Sequence, residues 1–118
     1  MTVIPSQFGL LSQLLDATAL RHQVIAQNVA NVNTPGYRRL DVSFEAALSG
    51  QAGGQSEASE IAALRVIEGG GGAERPDGNN VDIDAEMGRL NKNTLVYTAA
   101  SQILAGKIAA MRTAITGK

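Results

Sequence analysis

The sequence predicts a mainly α fold: two long terminal helices separated by a Gly-rich, mostly irregular middle segment. Three observations support this. Apolar residues recur in alternating steps of three and four over about 25 residues at one end of the chain. They do so again over about 30 residues at the other. Between these stretches, residues 33–81 hold nine of the thirteen glycines.

The first periodic segment runs from about Ser6 to Val32. Phe8, Leu11, Leu15, Thr18, His22, Ile25, Val29 and Val32 form its main stripe, and Leu10, Leu14, Ala17, Leu20 and Val24 lie beside it. His22 is expected to be a packed histidine, because the chain holds no second histidine and no cysteine to complete a metal or catalytic site.

The helix must stop where "NVANVNTPGYRR" (Asn28–Arg39) reaches its proline. Pro35 disfavours helical geometry at Thr34. Thr34-Pro35-Gly36-Tyr37 fits a type II turn, with proline setting φ at the second position and glycine supplying positive φ at the third. Asn31 and Asn33 are placed to bond the free carbonyls of the helix end or to take the left-handed conformation. Asn28 and Asn31 share a helical face. Tyr37, Arg38 and Arg39 are expected to extend away from the turn.

In the middle, "DVSFEAALSG" (Asp41–Gly50) predicts one or two helical turns with Ser43 as N-cap. "SGQAGGQSEASE" (Ser49–Glu60) and "EGGGGAERPDGNN" (Glu68–Asn80) have the composition of flexible linkers or loops. "ALRVI" (Ala63–Ile67) is compatible with a short strand.

The second long helix is expected from about Asp84 to Thr116. Met87, Leu90, Thr94, Tyr97, Ser101, Leu104, Ile108, Met111 and Ile115 keep the three-four rhythm, a length that favours a coiled-coil-like helix. Asp82 is the expected N-cap. Asp84 and Glu86 near the start, and Lys107, Arg112 and Lys118 toward the end, complement the helix dipole. A second seam of Val96, Ala99, Ala100, Ile103, Ala110 and Ala114 makes the helix apolar around more than half its circumference. Two helices in one chain cannot cover it, so other subunits are expected to do so.

Composition narrows the function. The chain has 118 residues and a net charge of −1, which favours neither nucleic acid nor an anionic membrane as partner. No apolar run approaches the ~20 residues needed to span a bilayer. The start, "MTVIPSQFGLL", lacks the features of a Sec signal peptide. Absent cysteines exclude disulfides and thiol chemistry. "DGNNVDIDAE" (Asp77–Glu86) fails the EF-hand pattern, because Val81 and Asp82 stand where a ligand and a glycine are needed. A turn and a capped helix explain those residues. "GGGG" (Gly69–Gly72) lacks phosphate-loop spacing. No nucleophile–base set is present, so no enzyme and no cofactor or metal is expected.

The opening motif carries a family resemblance. Asn28, Ala30, Asn31, Thr34, Pro35, Gly36, Tyr37 and Arg38 resemble the signature of the flagellar rod, hook and hook-associated axial proteins. The C-terminal region is similar to the proximal rod members at Asn79-Asn80-Val81-Asp82, Glu86-Met87, Leu90, Asn93, Leu95, Tyr97, Leu104, Lys107 and Ala114-Ile115. The resemblance lapses in the Gly-rich middle.

It implies a structural subunit whose terminal helices pair as an antiparallel coiled coil and stack around a central channel. Residues 1–33 and 83–118 would then be the core segments, and 34–82 an outer segment that touches neighbours. Leu11, Leu15, Ile25, Val29, Met87, Leu90, Tyr97, Leu104, Ile108, Met111 and Ile115 would be the assembly stripe. The implied partners are further copies, other rod subunits, membrane-ring and rod-base adaptor proteins, and the flagellar type III export apparatus. The implied location is the periplasmic rod of the basal body, reached without a Sec signal. The competing expectations are another rod or hook subunit and a soluble coiled-coil adaptor or export chaperone.

Overall fold

A computed structural model describes residues 3–43 and 65–117. Two helices dominate it. Helix α1 spans Val3–Ala30, strand β1 Leu40–Ser43, strand β2 Arg65–Glu68 and helix α2 Ile83–Thr116.

The helices pack side by side and antiparallel. Contacts along their length fix the direction: Asn28 meets Glu86 at one end, Asn93 Nδ2 donates to the Thr18 carbonyl at 2.7 Å, and Lys107 Nζ donates to Gln7 Oε1 at 2.8 Å. The shared seam consists of Ala17, Thr18, Val24, Ile25 and Asn28 on α1 and Glu86, Asn93 and Ala100 on α2, all buried. The α2 residues are seven apart, the spacing that keeps one narrow face against a partner helix.

This seam corrects two expectations. Ala100, assigned to an outer seam, lies between the helices. His22 is exposed instead of packed, because the buried face of α1 centres on Val24 and Ile25.

The helix ends follow local chemistry. Asp82 caps α2 by accepting from the N–H groups of Asp84 at 3.0 Å and Ala85 at 3.4 Å. At the other end Gly117 takes the left-handed conformation, φ 71°, and its N–H donates to Thr113. The last turn of α2 holds no basic side chain, so this cap and not a charge closes the helix.

β1 and β2 pair antiparallel, with Leu40 opposite Glu68 and Ser43 opposite Arg65. Asp41–Ser43 therefore belong to a strand, where the sequence suggested the start of a helix. Cross-strand pairing and the buried Val42 override the local helical propensity. The rest of that expected helix, residues 44–50, and the Ser49–Glu60 stretch lie outside the described residues. The strand suggested within Ala63–Ile67 corresponds to β2, which continues to Glu68.

Candidate functional site

The densest chemistry lies where α1 ends, beside the first turn of α2. Beyond Ala30 the helix tightens: Val32 N–H donates to Val29, and Thr34 N–H to Asn31. Tyr37 N–H then closes the Thr34–Tyr37 turn onto the Thr34 carbonyl at 3.2 Å, with Gly36 at φ 73°. This is the type II turn that the sequence predicted. Asn31 Nδ2 donates to the Gln27 carbonyl, and its Oδ1 accepts from Thr34 Oγ1. Among the described residues only glycines have positive φ, so neither Asn31 nor Asn33 takes the left-handed option.

Asn28 is the hub. Its side chain is fully buried, and both halves of its amide are fully used. Oδ1 accepts from the Leu40 N–H and the Tyr37 hydroxyl, each at 2.9 Å. Nδ2 donates to the Leu40 carbonyl at 2.8 Å and to Glu86 Oε2 at 3.3 Å. One side chain thus binds the end of α1 to the turn, to β1 and to α2.

Glu86 is also fully buried, and Arg39 is only 2% exposed. Glu86 Oε1 accepts from Arg39 Nε at 2.7 Å and from Arg89 Nη1 at 2.8 Å. Arg39 Nη1 donates to the Gly70 carbonyl at 2.9 Å, and its guanidinium lies 3.6 Å from Asp41. The buried charges are therefore paired and hydrogen-bonded, the condition under which such groups are tolerated. Burial raises the Tyr37 phenol above its ordinary pKa. The nearby Glu86 carboxylate adds to the rise, and Arg39 opposes it.

A second amide cluster fixes the turn from the other side. Asn79, fully buried, donates from Nδ2 to the carbonyls of Asn31, Val32 and Thr34. The Asn31 and Thr34 carbonyls thus accept from Asn79 as well as from the backbone N–H groups of the turn. Asn79 Oδ1 accepts from Val81 N–H at 2.8 Å, while Asn80 Oδ1 accepts from Arg39 N–H at 2.7 Å. Arg75 donates to the Val32 and Val81 carbonyls. Gly36 N–H donates to the Asp77 carbonyl at 2.8 Å, so the two Gly-containing turns dock on each other.

The glycine run belongs to this assembly. Gly69 N–H donates to the Arg39 carbonyl at 2.9 Å, and a Cβ on Gly69 would lie 2.3 Å from Arg39 Nη1. A Cβ on Gly71 would lie 2.5 Å from the Asn80 carbonyl oxygen. The expected flexible linker at Glu68–Asn80 is therefore a docked loop over these positions.

The predicted motif residues divide clearly. Asn28, Asn31, Thr34, Gly36 and Tyr37 come together in the clamp. Ala30 and Pro35 are exposed, as is Arg38, which reaches Glu68 at 3.2 Å and pairs with Glu74. Tyr37 and Arg39 do not extend away, as expected, but turn back into the protein. The sequence reading missed the buried roles of Arg39, Glu86 and Asn79.

Of the predicted stripe, Ile25 is buried, and Leu11, Leu15, Val29, Leu90 and Leu104 are half-buried between the helices. Met87, Tyr97, Ile108, Met111 and Ile115 are exposed in the single chain. The arrangement ties the end of α1, the turn, β1 and the start of α2 to one another. It is a polar lock flanked by uncovered apolar helix surface.

Comparison with known proteins assigns that arrangement to a class. The family described as "Flagella basal body rod protein" matches residues 15–38, the second half of α1, including Asn28, and the turn that follows. The chain is 34% identical to the flagellar basal body rod protein FlgB of Borrelia hermsii, over 89% of this chain and 92% of the relative. It is 30% identical to that of Cereibacter sphaeroides over the full length of both, and 28% identical to that of Bacillus subtilis over 91% of each. The chain is thus a structural protein of the flagellar basal body rod. Within that class it belongs to the FlgB family.

Proposed function

We propose that this chain is a non-enzymatic subunit of the proximal rod, part of the hollow shaft that connects the membrane ring to the distal rod and hook. Residues 1–33 and 83–118 act as the core that packs around the channel. Residues 34–82 act as an outer segment, anchored to the core by the Asn28–Glu86–Arg39 clamp. The subunit arrives unfolded through the flagellar type III apparatus and folds into the periplasmic rod. There it meets further copies, other rod subunits, and the ring and rod-base adaptor proteins.

One observation carries this reading. Apolar surface of α2 stays uncovered in the single chain in two places. Leu95, 71% exposed, and Ile103 lie off the seam with α1, while Ile108, Met111 and Ile115 face the α1 side but follow Lys107, which already meets Gln7 near the start of α1, and Ile115 is 79% exposed. Single exposed apolar residues are ordinary, but clusters of them along a helix mark a surface for protein contact.

The test is Leu95→Asp. Leu95 lies two residues past the buried Asn93, about 200° around the helix and away from α1. The substitution should change the stability of the isolated chain by no more than about 0.5 kcal/mol. It should leave export intact and stop rod growth above the inner ring. Normal rods in that strain would remove Leu95 from the assembly surface and this support from the reading.

A further inference from the structure

We infer that successive copies of this chain meet head to tail, the start of α2 in one copy seated against the far end of α2 in the next. This rests on the rod-subunit reading above.

The two ends of α2 are unlike, and they are complementary. At the start, Ile83 and Met87 are each 44% exposed, and the exposed carboxylates of Asp82 and Asp84 flank them. At the far end α2 outruns its partner. Lys107 already meets Gln7, near the beginning of α1, so the last turns of α2 have little of α1 left to cover them. They form an open apolar groove of about 540 Å³, lined by Phe8, Ile108, Met111 and Ile115, with Arg112 at its edge.

Charge separates along the helix in the same sense. Asp84 and Glu86 are its only acids, both near its start, and of the two Asp84 is the exposed one. From Met87 to the end of the chain the sequence has Arg89, Lys92, Lys107, Arg112 and Lys118 and no carboxylate side chain. A symmetric contact of either patch with itself would oppose like charges. Only the unlike pairing places Asp84 near Arg112 while covering both apolar surfaces. The two patches of one copy cannot meet each other, because the 28 residues of straight helix from Asp84 to Arg112 span about 42 Å. Such a heterologous contact propagates into a ring or a helical stack.

The natural sequence has no cysteine, which permits a direct test. Asp84→Cys and Arg112→Cys, combined in one chain and oxidised in purified basal bodies, should give a ladder of disulfide-linked multimers. Each single variant should stay unlinked. Dimers from a single variant, or only monomer from the double variant in rods that contain it, would overturn head-to-tail contact. A charge exchange provides an arm that does not depend on disulfide formation. Arg112→Glu should impair motility, and adding Asp84→Lys should restore it. Impairment without restoration counts against the proposal. If the unmodified subunit is absent from basal bodies, the rod reading itself fails, and that outcome is separate from a missing cross-link.

Discussion

The side-chain amide of Asn28 closes a two-bond ring with the backbone of Leu40, accepting from its N–H at 2.9 Å and donating to its carbonyl at 2.8 Å. A helix side chain here does the work of a neighbouring β-strand. Further along β1 the Val42 carbonyl accepts from Arg21 Nη2 of the same helix at 3.1 Å. Because the Asn28 amide also holds Tyr37 and Glu86, the turn, β1 and the helix pair share one joint.

Removing that joint should be costly. Asn28→Ala leaves the part-buried Leu40 N–H and carbonyl and Tyr37 hydroxyl without their partner, at roughly 1–3 kcal/mol for each group that stays shielded from water. A total loss of at least about 3 kcal/mol is expected in denaturant unfolding. Asn28→Asp should be no better, since a carboxylate oxygen would replace the donor that faces Leu40 O and Glu86. A loss below about 1 kcal/mol for Asn28→Ala would show that the clamp carries little of the stability.

The buried ion pair makes a different prediction. Glu86→Gln or Arg39→Met alone strands a charge and should cost about 3–5 kcal/mol. The double variant should cost clearly less than the sum, because the two groups contact each other at 2.7 Å. Additive losses in a thermodynamic cycle would mean that the pair is not coupled.

Tyr37 makes the stability depend on pH in the alkaline range. Burial raises its pKa in the folded state, with Glu86 adding to the effect and Arg39 opposing it. The folded state therefore holds the phenolic proton more tightly than the unfolded chain does. This contribution is fully present below the ordinary tyrosine pKa of 10.0 and is lost as pH rises through the folded value. Unfolding curves across that window should fall less steeply for Tyr37→Phe than for the parent. Identical slopes would contradict the assignment.

The glycine run yields a paired comparison. Gly69→Ala would drive its methyl against the Arg39 guanidinium, which cannot swing aside without leaving Glu86 and the Gly70 carbonyl. A loss of about 1–3 kcal/mol is expected. Gly70 has open space at its Cβ position, so Gly70→Ala should be neutral or slightly stabilising. Equal thermal shifts for the two variants would mean that the loop is not docked on Arg39.

Legibility in the sequence tracked distance along the chain. The Thr34–Tyr37 turn, the Asp82 cap and both long helices depend on residues a few positions apart, so propensity and periodicity expose them. Glu86 illustrates the limit. In the first turn of a helix it has a sufficient local reason, favourable charge at the N-terminus, and that reason hides its burial against Arg39, 47 residues away. Asp41–Ser43 looked helical because β2, which pairs with it, lies across the Gly-rich stretch. Gly69 and Gly71 looked like linker because close approach to Arg39 and Asn80 leaves no trace except the missing side chain. The motif residues themselves were visible; how Asn28 uses its amide was not.

Locating the subunit within purified basal bodies tests the central claim most directly. A compact tag inserted between Gly53 and Gly54 should appear, in averaged electron micrographs, as extra density around the lowest part of the rod, immediately above the membrane ring. Density at the hook, at the cytoplasmic export face, or nowhere on basal bodies from a motile tagged strain would contradict the account.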